Sequence, residues 1–318
     1  MANYDVFNGD ADGICALTQL RLAQPAQATL VTGVKRDIAL VQQIEAAPGD
    51  RIVVLDVSLD KNRAGLEKVL AQGASVFYCD HHFAGEIPEH PALDTRINTA
   101  SDVCTSLLIN AHLGGAYTLW AVAGAFGDNL DESARALGRA FDEATLALAK
   151  KLGTYINYNG YGKSLDDLHF EPAELYAKVS AHPSPVAFVH DDPDTFGRLE
   201  AGYTEDMANA RAATPIRTPG HTAAFLLPDE KWARRVSGVY SNGLAREHPS
   251  RAHAVLTERP DGTYLVSVRA PLENKTGADE LCRSFPTGGG RKAAAGINAL
   301  PGDMLGTFLD RFDSFYAR

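Results

Sequence analysis

The sequence predicts an α/β protein of two domains: an N-terminal parallel sheet flanked by helices, and a smaller C-terminal α/β domain with a mixed sheet, with a cleft between them. The length of 318 residues suits about two domains. Over the first 150 residues short apolar runs alternate with helical stretches, a pattern typical of right-handed βαβ units. The pattern becomes irregular after residue 153 and resumes at Ala223 with a different order of elements.

The N-terminal elements follow from apolar periodicity and stop signals. The run 51–57 is rich in β-branched residues between Gly49 and Ser58, which is typical of a strand buried on both faces. Gly73 follows the helical stretch 61–72 as its stop signal. By the same criteria we expect strands at 4–7, 28–31 and 74–79, and helices at 14–23, 38–46, 102–112, 118–126 and 132–152.

The second half divides into a connector and a domain. Residues 154–222 are rich in Asn, Tyr, Gly, Pro and Asp, and we interpret them as a helical and irregular connector between domain 1–153 and domain 223–318. The turn Pro260-Asp261-Gly262 predicts a hairpin of two strands. These strands are expected at 252–258 and 263–269, with a further strand at 223–227 and helices at 231–246, 278–285 and 304–316.

Composition excludes several classes of protein. The net charge of −10 supplies little phosphate neutralisation, so long duplex DNA is not an expected partner. No apolar run reaches the roughly 18 residues of a membrane span, and the first residues do not predict a secretory signal. The four cysteines form no C-x-x-C pair, which argues against a zinc ribbon and a disulfide framework. We therefore expect reduced thiols in a cytoplasmic protein without membrane contact.

Acidic and imidazole side chains follow the predicted strands where those strands end. Ligands of open α/β sheets gather at the carboxyl ends of strands, so these residues are the candidate site. The first strand ends in Asn8-Gly9-Asp10-Ala11-Asp12-Gly13, the strand at 51–57 contains Asp56, the strand at 74–79 is followed by Asp80-His81-His82, and Asp128 ends an apolar helix.

Carboxylates gathered this closely repel one another, and divalent cations are the simplest compensation. Oxygen ligands mixed with imidazole suit manganese, iron or zinc better than calcium. Each pattern taken alone also has a plain structural explanation. Asp10-x-Asp12-Gly13 is typical of a turn or helix cap, and Asp56 of a cap on the next helix.

The residues in this order resemble the motifs of the DHH phosphoesterase superfamily, which includes RecJ-type exonucleases, oligoribonucleases acting on nanoRNA, pAp phosphatases, cyclic dinucleotide phosphodiesterases and manganese pyrophosphatases. The resemblance extends over nearly the whole chain. The segment Phe285-Pro286-Thr287-Gly288-Gly289-Gly290-Arg291-Lys292-Ala293-Ala294-Ala295-Gly296 resembles the glycine motif of the DHH-associated domain, and Val266-Ser267-Val268-Arg269 the strand before it.

The resemblance implies a centre of two divalent ions, most simply Mn(II). Asp56 would bridge both ions, Asp10 would bind one, and Asp12, His81 and Asp128 would bind the other. His82 would face the substrate phosphate, and Asp80 would hold a histidine from behind. Asn8 departs from the family, because many relatives have His or Asp there and a neutral amide is a weaker ligand.

The glycine motif would bind substrate. Gly288, Gly289 and Gly290 are expected to bring backbone N–H groups to an anion at the N-terminus of a following helix. Arg269 would bind a phosphate. Arg291 replaces the family's usual His, and a guanidinium can hold a phosphate with two hydrogen bonds.

The resemblance predicts hydrolysis of short nucleotides, such as pGpG, nanoRNA or pAp, by water activated between the two metal ions. Three alternatives stay open: a RecJ-like single-strand exonuclease, a pyrophosphatase or exopolyphosphatase, and a non-catalytic dinucleotide sensor. The sequence also leaves a homodimer open.

Overall fold

The computed structural model describes residues 1–317 and divides into two compact units, Met1–Ala201 and Gly202 onward. The predicted C-terminal domain ends at Arg318, which lies outside the described residues. The α/β class is confirmed: the first unit holds a five-stranded parallel sheet flanked by helices, and the second a six-stranded mixed sheet. None of the helices within residues 1–317 is long and apolar enough to cross a bilayer.

The first unit contains β1 (Asn3–Phe7), α1 (Ala11–Ala23), β2 (Thr29–Val31), β3 (Arg51–Leu55), α2 (Leu59–Ala71), β4 (Ser75–Asp80), β5 (Leu93–Ile97), α3 (Thr105–His112), α4 (Thr118–Gly127), α5 (Asp131–Leu137), α6 (Glu143–Asn159), α7 (Pro172–Ser180), α8 (Pro185–Asp191) and the start of α9 (Pro193–Ala212). The sheet order is β2-β1-β3-β4-β5, and every pair is parallel.

Two predictions for this unit were wrong. The expected helix at 38–46 is only a 3₁₀ turn, Val41–Gln43, because the buried Asn62 side chain binds the segment instead: its Oδ1 accepts from the Val41 N–H (3.0 Å) and its Nδ2 donates to the Ile38 carbonyl (2.6 Å). The expected helix at 132–152 is two helices, since Asp142 caps α6 by accepting from the Thr145 N–H. The strand β5 was not predicted.

The register of the sheet brings the ends of three strands to one edge. Val6 of β1 pairs with Val54 of β3, and Leu55 of β3 with Cys79 of β4. These central strands are apolar and buried, with Val6, Val54 and Cys79 inaccessible to solvent. The residues that follow β1, β3 and β4 therefore lie side by side at the carboxyl edge. All four cysteines of the chain are free and buried.

The second unit contains β6 (Pro215–Arg217), β7 (Thr222–Leu227), α10 (Lys231–Glu247), β8 (Ala252–Glu258), β9 (Thr263–Arg269), α11 (Ala278–Arg283), β10 (Gly288–Gly290), β11 (Ala294–Pro301) and α12 (Leu305–Tyr316). The sheet order is β10-β11-β9-β8-β7-β6, with β7 and β8 parallel and the other pairs antiparallel. The predicted hairpin is confirmed as β8 and β9.

The glycine motif is a strand and not the entrance to a helix, so that prediction was wrong. Gly288–Gly290 pairs antiparallel with β11. The N–H groups of Arg291 and Ala294 each donate to the other's carbonyl, at 2.9 and 3.1 Å, and close a tight hairpin. Gly290 has a φ of 138°, which a residue with a side chain rarely adopts. The chain therefore reverses at Arg291 and continues as a strand.

Helices α4 and α6 cross at glycines, which sets the position of the end of α4. A Cβ on Gly153 would lie 2.0 Å from the Ala123 carbonyl oxygen, and one on Gly127 would lie 2.7 Å from the Gly153 carbonyl oxygen. Neither position has room for a methyl group. Asp128 follows Gly127 directly, so this close crossing positions one of the candidate site residues.

We expect Gly153→Ala to lower the free energy of unfolding by about 1–3 kcal/mol, because the two helices must separate to admit the methyl group. Urea unfolding followed by circular dichroism measures this. Gly197→Ala is the matched control, since that helical glycine has open space around it, and it should stabilise α9 by roughly 0.5–1 kcal/mol. Equal effects of the two substitutions would contradict the crossing argument.

Candidate metal centre

Three carboxylates from different elements converge around the imidazole of His81. Its Nε2 lies 3.5 Å from Asp56 Oδ1, 3.8 Å from Asp128 Oδ2 and 3.9 Å from Asp12 Oδ2. Its Nδ1 donates to the Val103 carbonyl at 2.9 Å. A carbonyl can only accept, so Nδ1 carries a proton. In the neutral imidazole the Nε2 lone pair then faces the carboxylates, which is the tautomer a metal ligand needs.

Helix α3 holds two of these carboxylates with its first residue and its first two amides. Asp12 Oδ2 accepts from the Thr105 N–H and Asp12 Oδ1 from the Ser106 N–H, both at 2.7 Å. The Thr105 hydroxyl donates to Asp56 Oδ1 at 3.2 Å. The first amides of a helix have no partner within it and favour anions. The helix therefore stabilises the buried charge and fixes the orientation of Asp12.

Asp56 sits in strained backbone at the end of β3. Its φ is 60°, in the left-handed region that non-glycine residues seldom adopt outside Asn and Asp. The alternative expectation, a cap on α2, is not met, since the described contacts of its carboxylate are with Thr105, His81 and His82. Burial, together with the charges of Asp12, Asp10, Asp80 and Asp128, raises the pKa of Asp56 well above its usual range.

Asp10 has two roles in the structure. Its Oδ1 accepts from the N–H groups of Asp12 (3.0 Å) and Gly13 (3.1 Å) and so caps α1. Its Oδ2 accepts from the ammonium of Lys35. Burial acts to raise the pKa of Asp10, but the charge and hydrogen bond of Lys35 outweigh it and hold that pKa below its usual value.

His82 is the exposed member of the cluster. Its side chain is 44% exposed, against 9% for His81. The His82 Nδ1–H donates to Asp80 Oδ1 at 2.8 Å, and Asp80 is fully buried. Burial acts to lower the pKa of His82, but the hydrogen bond and charge of Asp80 outweigh it and raise that pKa. Asp80 therefore orients the imidazole and favours its protonated form.

These residues fit a divalent cation. Ligand atoms of Asp56, His81 and His82 all lie within 4.8 Å of one another. Burial raises the pKa of Asp128 as well, and the opposing charges of Lys35 and His81 do not outweigh it. The buried carboxylate oxygen Asp80 Oδ2 has no hydrogen-bond partner in the structure, and the charge of Asp80 acts on Asp56. An unsatisfied buried oxygen beside unneutralised carboxylates is the chemistry that a cation would complete.

Sequence reasoning missed Lys35, Asn157 and the amides of α3. Lys35 follows β2, and β2 neighbours β1 in the sheet, so its end meets the same edge as the other candidate residues. A search of every strand end, including that of β2, would have found it. No sequence signal marks Asn157 or Thr105, because their positions depend on how α6 and α3 pack.

The predicted substrate-binding residues Arg269, Arg291 and Gly288–Gly290 lie in the second unit. Arg269 ends β9, is partly buried, and donates from Nε to Asn242 Oδ1 at 2.6 Å. It pairs across the sheet with Ala294, so the exposed turn of Arg291 lies beside the end of β9. The aromatic stretch 155–161 lies in the first unit, where Tyr155 and Tyr158 are buried.

Known proteins resemble this chain in structure only. No protein-family model matches the sequence, and no curated protein sequence is significantly similar to it. Manganese-bound RecJ from Thermus thermophilus superimposes on the whole chain with a TM-score of 0.64 at 19% identity. This chain spans about half, 52%, of that protein.

Two further structures match along the whole chain. A manganese-bound exonuclease RecJ has a TM-score of 0.56 at 21% identity, with 90% of it covered. The pGpG-specific phosphodiesterase PggH from Vibrio cholerae has a TM-score of 0.56 at 15% identity, with 99% of it covered. At these identities the likeness is one of fold: the chain shares the fold of these RecJ and PggH structures.

We expect Asp56→Asn to raise the melting temperature of the metal-free protein at pH 7. A raised pKa means that the folded state holds a proton the unfolded state releases near pH 3.8, so stability falls as pH rises above that value. An Asn side chain does not titrate, so the variant does not lose stability in this way as pH rises, and Asn tolerates the positive φ. Thermal unfolding from pH 4 to 8 measures it.

Asp94→Asn is the control, because that carboxylate is exposed on β5. Added Mn²⁺ should raise the melting temperature of wild type and of this control. It should raise the melting temperature of Asp56→Asn much less. A metal-free Asp56→Asn protein that is less stable than wild type at pH 7 would contradict the argument.

Proposed function

We propose that this chain is a metal-dependent phosphoesterase that hydrolyses short nucleotides, such as a dinucleotide of the pGpG type, nanoRNA or pAp. The convergence of His81 Nε2 with the carboxylates of Asp12, Asp56 and Asp128 is the observation that carries the proposal. The structural neighbours support it, since two are manganese-bound RecJ proteins and the third is a pGpG-specific phosphodiesterase.

The proposed cofactor is divalent manganese, held by His81 and the three carboxylates around it. A bound divalent ion lowers the pKa of water and offsets charge that develops on phosphoryl oxygens. One imidazole among carboxylates is a donor set that suits manganese. Whether Asp10 and Asn8 add a second ion depends on Lys35, whose ammonium already binds Asp10.

His82 is the proposed contact with the reacting phosphate. It is exposed while its Nδ1 is fixed by Asp80, so its Nε2 is the atom free to meet substrate. With its pKa raised, the imidazole carries a proton over more of the neutral range. It can donate a hydrogen bond to a phosphoryl oxygen and give up that proton to the leaving oxygen.

Short substrates are favoured by charge. The chain has a net charge of −10, which disfavours a long track for a polyanion. The second unit offers Arg269 and Arg291 beside one hairpin turn, and we propose that they hold substrate phosphate together with the backbone of Gly288–Gly290. A RecJ-like single-strand exonuclease is the second candidate, because the T. thermophilus RecJ match has the higher TM-score.

A substrate panel separates these candidates. Metal-free protein is incubated with Mn²⁺ and pGpG, pAp, pyrophosphate, and single strands of increasing length, and products are separated by chromatography. We expect rapid cleavage of the shortest substrates and slow cleavage of long strands. Faster cleavage of long strands than of dinucleotides would favour the exonuclease, and release of phosphate from pyrophosphate alone would overturn the nucleotide assignment.

The two histidines should behave differently on substitution. We expect His82→Asn to lower kcat by about 10²–10⁴-fold with unchanged Mn²⁺ affinity, because it removes a proton donor and leaves the ion's ligands in place. His81→Asn, the matched variant, should lose Mn²⁺ affinity itself. Isothermal titration with Mn²⁺ and steady-state kinetics measure both. Loss of Mn²⁺ binding in His82→Asn would make His82 a metal ligand instead.

A further inference from the structure

We propose that the Lys35 ammonium occupies the place of a second cation in this centre, so that the chain binds one divalent ion tightly and not two. The single ion would lie among Asp12, Asp56, His81 and Asp128. The inference rests on the proposed function only in taking this cluster as a metal centre.

The first observation is how Lys35 is bound. Its Nζ donates to Asp10 Oδ2 and, at 2.9 Å, to Asn157 Oδ1. Asn157 is 2% exposed and belongs to α6, so it presents a fixed acceptor. The Lys35 Nζ also lies 5.4 Å from the centre of the Tyr161 ring, within range of a cation–π contact.

The backbone of Lys35 is fixed as well. Its N–H donates to the Gly160 carbonyl at 2.8 Å, and its carbonyl accepts from Asn8 Nδ2 at 3.4 Å. The end of α6 therefore binds the backbone of Lys35. Its ammonium is bound by Asn157 of α6 and by Asp10, and also lies over the Tyr161 ring. None of these hydrogen bonds involves the carboxylates around His81, although the charge of Lys35 also acts on Asp128. The lysine is therefore positioned by α6 and by the residues that follow β1.

The second observation is the distribution of charge. Around His81 three carboxylates converge, and among the described ion pairs no lysine or arginine lies within 4 Å of them, although His82 Nδ1 lies 3.9 Å from Asp56 Oδ1. Apart from Asp10, the predicted ligand that a second ion would not share with the first is Asn8, which is neutral. The ammonium of Lys35 already supplies a positive charge at Asp10. A second divalent ion at Asp10 would be repelled by that ammonium and would gain a single unshared carboxylate.

The oxygens of Asp10 are also engaged. Oδ1 caps α1 through two N–H groups, and Oδ2 accepts from Lys35. Asn8 Oδ1 has no partner, but an amide oxygen without an adjacent unpaired carboxylate is a weak site for a divalent ion. An ammonium at this position can replace a second ion in one respect: it supplies a fixed positive charge near the phosphoryl oxygens, which gain negative charge during the reaction.

The test counts metal ions and does not depend on turnover. Metal-free full-length protein is titrated with Mn²⁺, and free ion is measured from its electron paramagnetic resonance signal. Wild type should bind one ion per chain, with the spectrum of an isolated Mn²⁺. Lys35→Met with Asn8→Asp should bind two, with a spectrum broadened by exchange between neighbouring ions.

The matched control is Lys61→Met, which removes an exposed lysine paired with Asp60 on α2 and should leave the stoichiometry at one. Two ions of similar affinity in wild type, or one ion in the double variant when circular dichroism shows it folded, would overturn the inference. Two ions together with nucleotide cleavage would leave the proposed function standing, whereas absence of any Mn²⁺ binding by wild type would remove the proposed function too.

Discussion

The repulsion between carboxylates buried at one sheet edge is the constraint on which the rest of this structure depends. Asp10, Asp12, Asp56 and Asp128 are brought together by β1, β3 and the end of α4. Three of the four are stabilised by different groups: Asp10 by an ammonium, Asp12 by helix amides, and Asp56 by an imidazole and a hydroxyl. The stabilisation is least complete where Asp56 and Asp128 face His81, and the proposed ion belongs there.

The sequence predicted the parallel sheet and the residues at its carboxyl edge because both depend on local signals. Apolar β-branched runs define the strands, and parallel strands bring their ends to one side. The sequence did not predict Lys35 as a member of the site, since a lysine after a three-residue strand has no distinctive pattern. It also failed at 38–46, where the distant Asn62 side chain replaces the hydrogen bonds that a helix would have made.

The glycine motif illustrates a different failure. Gly288–Gly290 was expected to lead into a helix, as glycine-rich loops often do before phosphate sites. The alternating Ala294–Pro301 segment forms a strand instead, because Ile297 and Leu300 fill the core of the mixed sheet. In this unit the groups suited to bind an anion are therefore the backbone N–H groups at the edge strand β10 and two arginines beside one turn, Arg269 and Arg291.

The left-handed backbone of Asp56 limits which residues can follow β3. Only Asp, Asn and Gly adopt such a φ readily, and of these only Asp carries charge. A change of this codon to Asn would remove the charge of Asp56 from the candidate metal centre while leaving strand, turn and helix as they are. Under the proposed function, one conservative exchange would then separate a nucleotide hydrolase from a protein that binds a nucleotide without degrading it, and this short distance offers a physical route by which receptors could descend from hydrolases.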